Sequence, residues 1–596
     1  GPGEGSLVAP TEHTYESDLT AAGYQSVPDF LQNVPGVYYN PAPGGSGAAE
    51  LFVRGGETNF TAILLDGVPV NNVMDDRGGT FDLGLVSPVI SGAVALQRGP
   101  HSMFVGGGAL SGSLSLETLA PGAPAGSAVM ALYGPAGERR VDGVAREAWG
   151  GWQYAAGGAW SEFVWEEKGR GERTTWQGSL AAEGRVGERT AVEIAAHYIE
   201  AERTGFPADS GGWEEAERRV LETSDSILAL GSLRLTQELA EGQRLHVRFF
   251  GYRNELSLDT PGVAPGARDP MGLPAQTAET LLERHGASAH YALALGEDWE
   301  LALGGGLERE SGETDSVFDF GGGFALPARY AISRTNRSGA IEAHGGVGDW
   351  ELAYAARLEA NERDGTHLSQ QARVDWQAGP RGLLLGASLQ AGAKFPSLYA
   401  LANPLVGNPD LREETAVSGA AHLVWTSPEA DRQVALSIFE TRYEDLIDFD
   451  AGPPPRLLNR GEFKVRGFDL SGRLQAGDWR LEGDVSLARP ILPEGAAPLR
   501  DRPEWRLGAS LEWRASEEVQ VAARARHIGE RLGSSIPTGE VELAAYTVVD
   551  LTVDWRAAPG LRFQGSLQNL FDVDYAYSVG EPGLGFTPAV RARWEF

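Results

Sequence analysis

The stretch Trp505-Arg506-Leu507-Gly508-Ala509-Ser510-Leu511-Glu512-Trp513-Arg514 alternates strictly. Trp505, Leu507, Ala509, Leu511 and Trp513 fall on one side, and Arg506, Gly508, Ser510, Glu512 and Arg514 on the other. A period of two is the signature of a β-strand with two unlike faces. The pattern recurs at Val549, Leu551, Val553 and Trp555, at Trp299, Leu301, Leu303 and Leu307, and at Val590, Ala592, Trp594 and Phe596, the end of the chain. A water-soluble sandwich also alternates, but there one face meets a side-chain core. Here the non-apolar face carries charges in strand after strand, as a wet lumen would. Trp299, Trp505, Trp513, Trp555 and Trp594, at strand ends, suit the aromatic girdles of a membrane interface. The expectation is an all-β membrane protein.

Composition is consistent with this once barrels are considered. The 596 residues carry a net charge of −32, which argues against nucleic-acid binding because phosphate recognition needs a basic footprint. No cysteine is present, so a disulfide framework, a thiolate metal site and a cysteine nucleophile are excluded. No run reaches the 18 or so apolar residues of a transmembrane helix. The mean hydropathy of −0.24 looks soluble, yet alternation keeps a barrel's average polar as well. Residues 1–125 differ in texture, with short β-like pieces, Gly-rich turns and one amphipathic segment. In that segment Ser26 is a candidate N-cap, Pro28 lies in the first turn and Gly36 is a stop. The boundary falls at the Pro- and Gly-rich stretch 121–126, giving domains 1–125 and 126–596. About 470 residues at about 20–22 per strand and turn make roughly 22 antiparallel transmembrane strands. A barrel of that size has a lumen that must be plugged, and an α/β domain of about 125 residues is the right size for the plug.

Six motifs, in order, carry a family resemblance. SVPDFLQNVPGV (26–37), ELFVRGGETNFTAILLDGVPVNN (50–72) and RGPHSMFVGGGALSGSLSLET (98–118) resemble the plug of TonB-dependent outer-membrane transporters. GAKFPSLYALANPLVGNPDLREE (392–414), LLNRGEFKVRGFDLSG (457–472) and SLQNLFDVDYAYSVGEPGLGF (566–586), with a terminal aromatic residue, resemble barrel signatures of the same family. The run from Val8 to Pro10 through the PGV turn, and YEDLIDFD at 443–450, are similar to the cobalamin (vitamin B12) subgroup.

The resemblance implies a monomer in the bacterial outer membrane, surrounded by lipid and coupled to TonB of the inner membrane. It implies active uptake of a scarce large nutrient, cobalamin or a related corrinoid, with a ferric-siderophore or haem receptor as the alternatives, and it implies no enzyme activity and no required cofactor. It places Arg54 and Arg98 as plug arginines that pair with barrel carboxylates, a task for which Arg suits because it stays charged and binds bidentately. Asp469 stands where the family has a Glu. A second carboxylate is expected near Ala420, which is not one; Glu413 and Glu414 lie close by, and Glu414 is the candidate. Substrate contacts are expected at the plug apex, in loops Tyr39 to Gly47, Glu57 to Phe60 and Asn72 to Phe81. The candidates are Tyr39, Asn40, Asn59, Phe60, Asn72, Met74, Asp75 and Arg77, which combine flat apolar faces with hydrogen-bonding ends. Asp209, Glu214, Glu215, Glu222 and Asp225 offer hard oxygen ligands for an external calcium ion.

Haem is disfavoured because no His lies between Leu398 and Val406, where haem receptors place one, and His101 reads as structural. Gly36, Gly55, Gly67, Gly99 and Gly112 are expected to serve tight turns. Gly1-Pro2-Gly3 reads as a protease scar, and Gly3 to Ser6 makes no convincing TonB box. A passive porin is the alternative class, against which the plug motifs argue. A secreted propeller hydrolase would need a repeat of about 40–50 residues, and none is found.

Overall fold

In a computed structural model, the structure describes residues 14–17, 24–41, 49–88, 93–100, 108–117, 126–134, 137–164, 171–379, 382–450, 452 and 454–596. From Gly126 onward the chain runs up and down through 22 antiparallel strands that close on themselves. Closure is made by the last strand, Thr587–Glu595, pairing with the first, Gly126–Gly134, in the register Val590↔Tyr133 to Glu595↔Ala128. A closed ladder leaves no strand edge, which hydrocarbon requires because it cannot solvate a bare N–H or C=O. Two small hairpins, Arg531–Ser535 with Gly539–Leu543 and Ala576–Ser578 with Glu581–Pro582, stand outside the ladder in loops.

Side-chain alternation sorts the residues as the sequence predicts. In the strand Trp505–Arg514, Arg506 is buried toward the lumen, whereas Trp505, Leu507, Leu511 and Trp513 are exposed. The turns differ in length by side. On one side they are tight, as at Trp149 to Trp152, Val347 to Trp350 and Ala476 to Trp479; on the other they reach the length of 206–221 and 395–413. Tight turns face the periplasm in this architecture and long loops face outward. The tryptophans concentrate at the tight-turn side. Trp350 stacks on Trp376 at 5.6 Å and Trp479 on Trp513 at 5.3 Å, each pair being cross-strand partners. Trp505 departs from this: it begins its strand after the outer loop, at the opposite interface.

The strands also differ in height. Those from Ala275–Leu295 to Ala325–Val347 have 21 to 23 residues, about twice what a membrane needs, and rise beyond it as a tall wall. Trp505–Arg514 and Val519–Ile528 have 10.

Inside the barrel sits the plug. Its sheet runs in the order Thr14–Ser17, Ala93–Arg98, Gly112–Glu117, Thr61–Leu65, Val68–Pro69, with one parallel pairing between Thr61–Leu65 and Gly112–Glu117. A second hairpin pairs Val37–Asn40 with Glu50–Val53. The helix Val27–Leu31 is capped as expected: Ser26 Oγ accepts the Asp29 N–H at 3.1 Å, and Pro28 sits in the first turn. It ends earlier than expected, at Leu31, and Gly36 instead takes φ 72° in the turn that feeds the next strand. The Val8 to Pro10 run, residues 42–47 of the first apex loop, His101 and the start of the 121–126 linker lie outside the described residues.

An arginine placed on the lipid face near the middle of a strand is expected to destabilise by about 2 kcal/mol or more. Leu507→Arg should show this as a lower urea midpoint in lipid vesicles, whereas Ser510→Arg, on the lumen face of the same strand, should leave the midpoint near that of the parent.

Candidate functional site

The plug is held to the barrel by charge pairs of both polarities. Arg54 directly follows the hairpin strand Glu50–Val53 and Arg98 ends the sheet strand Ala93–Arg98, so both guanidinium groups leave the plug at strand ends. They converge on one carboxylate. Asp469 points into the lumen from the strand Arg456–Ala476 and is 4% exposed. Its Oδ2 accepts Arg54 Nε at 3.0 Å and Arg98 Nη1 at 2.8 Å. Arg54 also donates to Ser437 Oγ at 3.1 Å and lies 4.3 Å over the Phe439 ring. Arg98 also donates to the Pro35 carbonyl at 3.1 Å.

The short Asp reaches because the plug comes close. A Cβ on Gly36 would stand 2.7 Å from Asp469 Oδ1, so only glycine fits there. Arg54 itself adopts φ 49°, uncommon for a residue with a side chain, which turns it toward the barrel wall.

Glu414 has a different role from the one expected. Its carboxylate accepts Lys394 Nζ at 3.1 Å and the Ile447 N–H at 3.1 Å, both from the barrel. The reason is register: Lys394 and Glu414 are cross-strand partners, so the nearer cation takes the charge. On the plug side, the Phe60 ring lies 5.9 Å from Lys394 Nζ.

A second lock, absent from the sequence-based expectations, runs in the opposite sense. Here the plug supplies the carboxylate, Asp82, and the barrel supplies Arg203 at 2.8 Å and Arg173 at 3.4 Å. Arg173 and Arg203 are directly opposite one another on neighbouring strands, where like charges repel. Asp82 relieves that repulsion, and its other oxygen accepts the Gly84 N–H at 2.8 Å. The two arginines are 30 residues apart in sequence, and only strand pairing joins them. Six residues back along the strand from Arg203, Asp66 of the plug meets His197 Nε2 at 2.6 Å, while His197 Nδ1 meets Ser179 Oγ at 2.7 Å.

The apex residues divide into two groups. Tyr39, Phe60 and Met74 are buried packing residues: Tyr39 lies against Asp82, Phe60 stacks on Tyr443 at 5.3 Å, and Met74 fills the space a side chain at Gly312 would take. Burial, then the Asp82 charge, pushes the Tyr39 phenol well above its ordinary range. The other group is polar: Asn40 is buried, whereas Asn59, Asn72, Asp75 and Arg77 are partly open. Asn40 donates to Glu50 at 2.9 Å, and Arg77 pairs with the same Glu50. Asn72 and Asp75 build the turn beneath, Asp75 accepting the Gly79 and Thr80 N–H groups at 2.8 Å each. Asn59 lies beside Gly78 in this turn. Loop residue Arg502 reaches in from the barrel, donating to the Gly55 carbonyl at 2.9 Å and to Glu57 at 2.9 Å.

The acidic residues of 206–226 do not come together. Asp209 pairs with Arg268 at 2.9 Å, and Glu214 and Glu215 lie exposed on the short helix Gly212–Glu215. Glu222 is buried on the strand Glu222–Ala240, whereas Asp225, three residues on and so on the opposite face, is exposed. Among the described residues no three His, Asp or Glu side chains form a metal-sized group.

Residues 146–570 match the family described as TonB dependent receptor-like, beta-barrel, and residues 7–113 match the TonB-dependent Receptor Plug Domain. The chain is 22% identical to the Vitamin B12 transporter BtuB of Vibrio vulnificus, covering 97% of this chain and 90% of that one. It is 23% identical to the Vitamin B12 transporter BtuB of Photobacterium profundum, covering 97% and 91%. Among solved structures, the siderophore receptor PirA from Acinetobacter baumannii superposes with a TM-score of 0.80 at 14% identity, covering 98% of each chain. The ferripyoverdine receptor of the outer membrane of Pseudomonas aeruginosa does so with a TM-score of 0.80 at 16% identity, covering 98% of this chain and 86% of that one.

Removing one partner of a buried ion pair costs about 3–5 kcal/mol. Asp469→Asn and Asp82→Asn should each loosen the plug on that scale. The readout is the urea concentration at which a single cysteine at Ser113, buried in the plug, reacts with a maleimide; the chain has no cysteine of its own to interfere. Glu414→Gln should leave plug release unchanged, because its charge serves the barrel wall.

Proposed function

The chain belongs to the TonB-dependent receptor family of outer-membrane transporters, and on that premise we propose that its substrate is cobalamin or a related corrinoid. The family consists of transporters and receptors, not enzymes, and its barrel is that of the Gram-negative outer membrane. Family membership implies interaction with TonB and binding of a substrate. The observation that carries the cobalamin reading is the near full-length match to two vitamin B12 transporters, across plug and barrel alike. The siderophore receptors share the fold at 14–16% identity, which says nothing of the ligand.

The apex chemistry fits a large amide-rich solute. Asn59, Asn72 and Arg77, all partly exposed, present donors and acceptors beside a buried layer of Tyr39, Phe60 and Met74, as an oriented polar ligand needs. The substrate docks from outside on this surface and the long loops above it, and the protein works as a monomer in a lipid annulus. TonB then draws on the N-terminal side of the plug, and the plug yields. No bond in the substrate is broken, so no residue is assigned a catalytic role.

Calorimetric titration of the purified protein with cyanocobalamin, beside ferric enterobactin, ferripyoverdine and haemin, is the deciding measurement. Binding of cyanocobalamin tighter than the other three is expected. Heat from a ferric chelate and none from cyanocobalamin would replace the corrinoid reading with the siderophore one. In a planar bilayer the intact protein should stay closed, since the plug fills the lumen; steady open-channel conductance would favour a porin.

A further inference from the structure

On the lipid side of the barrel, the strands Arg456–Ala476 and Trp479–Ile491 change character partway up. Val465 and Asp469 are buried toward the lumen, so pleating turns Lys464, Arg466, Phe468 and Leu470 outward. On the next strand Ser486 reaches the plug, which turns Leu481, Val485, Leu487 and Arg489 outward. From the tight turn at Gly477 and Asp478, the outward residues are uncharged as far as Phe468 and Leu487 and cationic directly beyond them. Arg489 stands ten residues along its strand from Trp479 of the inner tryptophan girdle. At about 3.3 Å per residue and a tilt of about 35–45°, that is a rise of roughly 25 Å, the height of a barrel's apolar band. The cations therefore sit at the level of the outer headgroups. Trp505, exposed at the same interface, meets Phe468 edge-on at 5.9 Å and marks that level.

These cations face one another across the ladder. Arg442, on the strand Arg432–Asp450, is directly opposite Lys464, and Arg466 is directly opposite Arg489. Like charges so placed repel. Carboxylates relieve part of this: Arg442 holds Glu444 at 2.5 Å, and Arg466 holds Glu440. Lys464 and Arg489 make no ion pair or side-chain hydrogen bond among the described residues, in a chain whose net charge is −32. They are diagonal neighbours, with backbones about 7–8 Å apart, close enough for both long side chains to reach one anion. Arg253 makes the contrast. It stands at the corresponding height of the strand Gln243–Thr260 and is saturated by Glu255 at 2.6 Å and Glu283 at 2.5 Å.

Beneath the cations, on the same lipid-facing surface, runs an apolar groove of about 480 Å³. Its floor is a row of small residues that register alone brings into line: Gly472 opposite Gly483, Gly483 opposite Ala509, and Ala509 opposite Ala525. Leu470, Val485 and Leu507 form its upper edge. Gly472 lies six residues from Arg466 along the strand, a drop of roughly 15 Å, which a fatty acyl chain spans. Apolar surface gains nothing from leaving lipid for lipid, so what a groove offers a chain is close packing on three sides.

We propose that this face of the barrel binds one phosphorylated glycolipid of the outer leaflet, its phosphate on Lys464 and Arg489 and one acyl chain in the groove over Gly472 and Gly483. Phosphate supplies the counter-charge that the chain itself leaves out, and Arg489 offers it a planar fork of donors. Arg466, shared with Glu440, lies beside the same phosphate. Above the cations Glu444 and Glu462 are exposed and accept hydroxyl groups of the sugar, which a phospholipid headgroup of glycerol alone supplies poorly. A lipid gripped at both ends is held longer than its neighbours in the annulus. The site depends on the barrel's place in the outer membrane and not on which substrate crosses it.

Delipidated full-length protein in a neutral detergent, titrated with diphosphoryl lipid A and read by native mass spectrometry, tests this. One lipid is expected to bind ahead of the rest. The double variant Lys464→Gln/Arg489→Gln should weaken that first binding about tenfold, since two cations near the headgroup level are lost. Gly483→Leu should weaken it too, with both cations intact. A Cβ there meets nothing closer than the Gly508 carbonyl at 3.7 Å, so the side chain enters the groove without straining the barrel. Arg253→Gln should leave the first binding unchanged. Fully dephosphorylated lipid A and phosphatidylglycerol should each bind more weakly than diphosphoryl lipid A, and inorganic phosphate at the same concentration should not displace it. The site is overturned by parent-like binding in the double variant or in Gly483→Leu, or by an equal loss in Arg253→Gln. Equal affinity for either control lipid, or displacement by inorganic phosphate alone, overturns it as well.

Discussion

In hydrocarbon every backbone N–H and C=O must find its partner within the protein, and this chain meets that demand only when its last strand pairs with its first. The pairing of Thr587–Glu595 with Gly126–Gly134 turns 22 strands into one closed surface. All else in the molecule follows from that closure. With every strand committed to the ring, alternate side chains must point inward, and a ring of this size encloses more space than its own side chains can fill. A plug is the physical answer, and the inward-facing residues become its docking surface.

That surface is polar, which decides how the plug is held. Inward side chains such as Asp469, Arg203 and His197 are covered by the plug, and a buried charge must be paired. The plug therefore carries counter-charges at positions where its sheet ends or turns: Arg54 and Arg98 at strand termini, Asp82 at the start of a short helical turn and Asp66 in a tight hairpin. Ion pairs suit a part that must later move, since each partner can be taken up by water when separated, whereas apolar packing resists separation along its whole area.

Much of this is legible in the residues. Alternation in Trp505–Arg514 and its counterparts reads directly as lipid face and lumen face, because a strand's period is independent of where the strand sits. The Ser26 cap and the glycines in the plug motifs are equally legible, as local conformation depends on local sequence. Glu414 misleads, because nearness to a motif says nothing about which cation lies across the ladder; Lys394 does, by register. Phe60 and Met74 have the chemistry of ligand contacts, yet the barrel covers both. The acidic run 206–226 has the composition of a calcium loop, but strand pleating sends Glu222 and Asp225 to opposite faces.

The sequence by itself determined the layers of this protein: which residues meet lipid and which meet the lumen. It could do so because those are consequences of short-range periodicity and of transfer from water to oil, both written residue by residue. Only the tertiary structure decided the contacts across the lumen. Arg54, Arg98 and Asp469 come from three separate stretches, and Asp82 meets two arginines that strand pairing alone brings side by side. Such pairings depend on the ring's register and on where the plug rests within it, quantities that exist only once the barrel has closed.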